Sequence, residues 1–109
     1  MGNLLRLPAQ LPAEEQTQLL CGGSCRIERI VSNGHGSPDG FWYDQGEDEW
    51  VTILQGEAVL AFEKYTATLR TGDCLLIPAH CRHRVECTSR PCIWLCVFGR
   101  LTLPEGGGA

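Results

Sequence analysis

The side chains able to carry chemistry are three histidines, seven cysteines and a short run of acids. His83 opens a β-prone stretch, His83-Arg84-Val85-Glu86-Cys87, with Arg82 just before it. Successive side chains on a strand point to opposite faces, so Arg82 and Arg84 turn away from His83, toward surface acids such as Glu86. His83 can then be a metal ligand, a proton carrier or a hydrogen-bonded pocket histidine. His80 falls in the preceding turn and is expected at a rim. His35 lies in the glycine-flanked loop Gly34-His35-Gly36. It is either solvated or folded over a pocket mouth as ligand or proton carrier. Glu47 and Asp48 read as exposed turn acids, whereas Glu49 opens a strand. No two cysteines stand in Cys-x-x-Cys spacing, which argues against a zinc ribbon. A disulfide framework needs a secretory route, and no signal segment is legible. The cysteines are expected to act chiefly as small apolar residues on strands, with reactive thiols the alternative.

The elements that must position these groups read as short strands. Arg26-Ile27-Glu28-Arg29-Ile30-Val31 alternates and then turns apolar, as a half-buried strand does. Ser32 to Gly40 is rich in turn residues, and Phe41-Trp42-Tyr43-Asp44 is β-prone. Further strands are predicted over Glu49–Leu54, Ala58–Glu63, Tyr65–Arg70, Cys74–Ile77, His83–Cys87 and Cys92–Phe98, each bounded by Gly, Pro, Asp or Ser. Before them, Pro12-Ala13-Glu14-Glu15-Gln16 suits a first helical turn, and Gly22-Gly23 would stop it. This predicts one all-β domain: an arm or short helix over 1–25, a barrel over 26–100 and a flexible tail over 101–109.

Bulk composition narrows the partners. The chain has 109 residues, enough for a single core, and a formal net charge of -4. That balance draws it neither to nucleic acid nor to anionic lipid. No apolar run approaches the roughly 20 residues that a membrane span needs. Gly2 does not make a myristoylation signal, because Arg6 stands where Ser or Thr is required. The expected setting is a reducing cytoplasm, and the small size favours a homodimer.

The stretch from Gly36 to Cys87 resembles the two motifs of the cupin family. The second motif is Gly, five residues, Pro, one residue, Gly, two residues, His, three residues, Asn. Gly72, Pro78 and His83 match it, while His80 replaces the second glycine and Cys87 the asparagine. The first motif is Gly, five residues, His-x-His, three or four residues, Glu, six residues, Gly. Glu49 and Gly56 match with six residues between them, and the two histidines are missing. One register puts Tyr43 and Gln45 in their places. The other puts Trp42 and Asp44 there and makes Gly36 the opening glycine.

The resemblance implies a double-stranded β-helix, or jelly-roll barrel, with Glu49 and His83 facing a central pocket. It also implies a divalent transition metal (Fe, Mn, Ni or Zn) held by Glu49, His83, Gln45 and Tyr43, or by Asp44 in the other register. His80, His35 and Trp42 would form the rim or wall. An amide and a phenol are weaker ligands than the imidazoles they replace. Two functions follow: a metal-binding cupin, active as an enzyme on a small polar molecule, or a metal-free small-molecule binding or sensing module. A purely structural role is the third.

Overall fold

The computed structural model describes residues 1–104. Eight strands make two antiparallel sheets: β1 Gln16–Cys21, β2 Arg26–Ser32, β3 Asp48–Gln55, β4 Glu57–Phe62, β5 Thr66–Arg70, β6 Cys74–Ile77, β7 His83–Thr88 and β8 Cys92–Gly99. The larger sheet runs β1-β2-β8-β3-β6 and the smaller β5-β4-β7. The fold is the all-β jelly-roll barrel the motifs imply.

Strand periodicity sorts the side chains. On β3, Glu49, Val51 and Ile53 point inward, and Val51 and Ile53 are buried. On β8, Trp94, Cys96 and Phe98 are the inward set. Leu60 on β4 and Val85 on β7 close the core from the smaller sheet. Alternate residues fill one face because the side-chain period of a strand is two. The β3–β4 hairpin turns on Gly56, whose φ is +98°. A Cβ there would lie 2.6 Å from the Pro91 carbonyl oxygen. The motif glycine therefore has a backbone reason.

Two expectations need correction. No helix forms among the described residues, and Gln16–Cys21 is strand β1. It pairs antiparallel with β2 from Gln16↔Val31 to Cys21↔Ile27, with an irregularity between Leu19 and Cys21. All six β1 residues are exposed, so a helix there would have had no apolar face to bury. The open edge of β2 instead offers a row of backbone partners, and that pairing outweighs the local helix signal. The β-prone Phe41–Asp44 is mostly loop. Only Tyr43 bridges to a strand, its N–H donating to the His83 carbonyl at 2.7 Å. The last five residues of the expected tail, 105–109, lie outside the described residues.

Candidate functional site

Between the two sheets lies a cavity of about 240 Å³. Glu49 from β3 and His83 from β7 reach it, exposed by only 8% and 4%. His83 Nε2 lies 3.7 Å from Glu49 Oε1, close enough for strong attraction but long for a direct hydrogen bond. His83 Nδ1 sits 2.9 Å from the Cys81 carbonyl oxygen. A carbonyl only accepts, so Nδ1 carries a proton and Nε2 faces the cavity. Burial works against the imidazolium, but the Glu49 carboxylate and the Cys81 carbonyl more than offset it, and the His83 pKa lies above its usual value.

The loop before β3 supplies the next two groups. Gln45 and Tyr43 both line the cavity. The Gln45 amide N–H donates to Glu49 Oε1 at 3.1 Å. The Tyr43 ring stacks on the His83 imidazole, centroids 5.2 Å apart and 22° between planes. Burial, with the Glu15 and Glu49 charges, pushes the Tyr43 phenol up and keeps it neutral.

The alternative register is not the one that faces the cavity. Asp44 points outward and its carboxylate lies 2.7 Å from His80 Nδ1, both side chains being well exposed. Trp42 lies under the Arg82 guanidinium, 5.3 Å from ring centre to Cζ, and does not line the cavity. Gly36 is explained separately: a Cβ there would lie 2.7 Å from the Glu86 carbonyl oxygen. His80 does not reach the cavity either. It adopts φ 63°, the left-handed conformation that the glycine of the motif supplies freely. His35 does not line the cavity itself. Its Nδ1 accepts the Asn33 N–H at 2.9 Å and its Nε2 donates to the Ala13 carbonyl at 2.8 Å, so it clips the arm before β1 to the loop after β2.

Several cavity residues were not singled out from sequence. Cys96 faces Glu49, and burial together with the Glu49 charge pushes its thiol far up, so it stays protonated. Trp94 and Phe98 share its face of β8, a grouping that the period of two already implied. Glu15, Arg26 and Glu28 complete the wall from the arm and β2. Their convergence depends on the pairing of β1 with β2, which has no local sequence signal.

A transition metal in this fold wants three or four good protein donors beside an open position. Glu49 and His83 supply two. The next groups are the Gln45 amide, which turns its N–H toward Glu49, the Tyr43 phenol and the Cys96 thiol. Among the described residues, no three of His, Cys, Asp and Glu converge in an arrangement that could hold a metal. The donor set does not fit such a centre.

Comparison with known proteins agrees with the barrel. Residues 30–98 match the model of the cupin domain. The chain belongs to the cupin family. Among solved structures it is similar to a Ralstonia eutropha protein whose proposed activity is mannose-6-phosphate isomerase, at 42% identity and a TM-score of 0.83, covering 93% of this chain and 98% of that one. It is also similar to a cupin superfamily protein from Desulfitobacterium hafniense, at 22% identity and a TM-score of 0.73, covering 87% and 84% of the two chains. A third similar structure is TT1209 from Thermus thermophilus, at 20% identity and a TM-score of 0.74, covering 92% and 96%. The last two likenesses are of fold alone. No curated protein matches the chain.

Proposed function

We propose that the chain is a small-molecule-binding cupin that works without a metal, holding one small polar ligand between Glu49 and His83. One observation carries this reading. Two ionisable residues, both buried, face each other across 3.7 Å inside a cavity of about 240 Å³. Buried charge is costly unless paired, and here the pairing is incomplete on the cavity side. A hydroxyl between the two could donate to Glu49 and accept from a protonated His83 Nε2, and an ammonium could donate both to Glu49 and to a neutral Nε2. Tyr43, Trp94 and Phe98 supply apolar walls, the usual composition of a ligand pocket. The volume falls below the roughly 300–1,000 Å³ of drug-sized sites, so the ligand is smaller than a drug.

The metal-dependent enzyme implied by the family motif is set aside, because only two of its donors are in place. Thermal shift against a library of small polar molecules, with and without chelator, tests the proposal. A ligand at 100 times its Kd should stabilise the protein by about 2.7 kcal/mol. Its effect should persist in chelator and vanish in Glu49→Gln and His83→Gln. Stabilisation that requires added Fe, Mn, Ni or Zn, or that both variants retain, would overturn it.

A further inference from the structure

We infer that the cavity selects a small cation, a ligand bearing an ammonium group, over anions of the same size; this deepens the binding role proposed above and rests on it. The wall holds three carboxylates, Glu15, Glu28 and Glu49, against one guanidinium, Arg26. Arg26 is already committed. Its Nε donates to Glu28 at 2.7 Å, and a terminal nitrogen donates to Glu47 at 2.9 Å. Its guanidinium also lies over the Phe98 ring, 4.4 Å from the centroid. An anion would have to displace two carboxylates to use it.

The remaining basic group, His83, gives an anion no better seat. Its Nδ1–H is spent on the Cys81 carbonyl, and its Nε2 faces Glu49. A phosphate or carboxylate at Nε2 would sit against the Glu49 charge in a buried site. A sugar phosphate meets the same obstacle, so the activity proposed for the Ralstonia protein is a poor guide to this cavity. The Arg26–Glu28 and Arg26–Glu47 pairs cancel much of the local field, which leaves Glu15 with no ion pair among the described residues and Glu49 facing only the titratable His83. Glu49 is buried and directed inward, and His83 Nε2 has no hydrogen-bond partner beside it.

A second feature points the same way. The fold itself seats a cation on this aromatic wall, since Arg26 lies over Phe98. Tyr43 and Trp94 present further π surface to the same space, and the Trp94 indole is fixed by its N–H donating to Ser32 Oγ at 3.1 Å. An ammonium between carboxylate and aromatic faces gains from both. Its remaining N–H can donate to the lone pair of a neutral His83 Nε2.

Three probes of equal size separate charge from shape: propylammonium, propanol and propionate, with glucose 6-phosphate as a fourth. Each is titrated into the ¹⁵N-labelled full chain while the amides of Tyr43, Glu49, His83 and Cys96 are followed. Propylammonium should shift these amides in a saturable way and bind roughly tenfold or more tightly than propionate, with affinity falling as salt is added. Glu49→Gln should remove that preference. Glu15→Gln, at an exposed position on the cavity wall, should weaken propylammonium about threefold. If propionate or glucose 6-phosphate binds the cavity better than propylammonium, the cation inference is overturned while the binding pocket stands. If propanol equals propylammonium, the inference also fails. If no probe shifts these amides, the inference falls, and the library screen alone then decides the binding role.

Discussion

Glu49→Gln should change how stability depends on pH. The perturbation is small in shape, because the amide can still accept from Gln45, whose N–H donates to Oε1 at 3.1 Å. It removes the charge facing His83. At 3.7 Å two unit charges attract by about 4 kcal/mol at the effective dielectric of about 20 that suits protein sites. Taking both groups out of water returns most of that, since their side chains are only 5% and 11% exposed. A net contribution of about 1–3 kcal/mol remains, the range for a charge-assisted contact. The folded-state pKa of His83 lies above the ordinary 6.5, so this contribution is complete below pH 6.5 and is lost as pH rises through the folded value. Wild type should therefore exceed Glu49→Gln by about 1–3 kcal/mol near pH 5.5 and by much less near pH 8.5. In the variant, burial is no longer opposed by a carboxylate, so the His83 titration should move down. Urea unfolding at the two pH values, alongside an NMR titration of the His83 ring, reads both effects. A gap that is unchanged or wider at pH 8.5, or a His83 that titrates higher in the variant, would refute the pairing.

Other substitutions test the frame around the pair. His80→Gly should stabilise by about 0.5–1 kcal/mol in urea unfolding, because it relieves a side chain held at φ 63° and loses only an exposed contact with Asp44; a loss of stability would mean that the Asp44 contact outweighs the strain. Gly56→Ala should cost more than about 2 kcal/mol, since φ +98° and the Pro91 carbonyl 2.6 Å from the new Cβ both oppose it; a near-neutral melting curve would contradict the hairpin geometry. Trp94→Phe should cost about 1–3 kcal/mol by removing the N–H that donates to the fully buried Ser32 hydroxyl and by leaving unfilled volume. A change below about 0.5 kcal/mol would show that the Ser32 hydroxyl loses its donor at no cost, its own O–H still reaching Glu15 at 3.4 Å.

Much of the barrel is legible in local pattern. The predicted strands from Arg26 to Phe98 fall on β2 to β8 within a residue or two. Each is a short β-prone run bounded by turn residues, and its burial depends on its own alternation. The spacing of Glu49 and Gly56, and of Gly72, Pro78 and His83, carries the motif because turns tie each position to backbone geometry. The two glycines at φ +98° and +90° are the physical content of that spacing. The arm read differently. Pro12 to Gln16 has a helical opening by composition, but β1 exists because β2 leaves an edge to pair with, and an edge is a property of the assembled sheet.

The sequence alone determined which side of each strand faces inward, and so the presence of Glu49 and His83 in one barrel. It left open whether Tyr43 and Gln45 or Trp42 and Asp44 join them, because both registers satisfy local spacing. The tertiary structure decided this through a single bridge: Tyr43 pairs its backbone with His83, which turns Tyr43 and Gln45 inward and leaves Asp44 to His80 outside. It alone also gathered Glu15, Arg26 and Glu28 onto the cavity wall. Those charges come from segments remote from Glu49 and His83, and only the pairing of β1 with β2 and of β2 with β8 brings them to one place. Inward or outward is settled residue by residue by a period of two, whereas the company a side chain keeps depends on which strands lie next to each other.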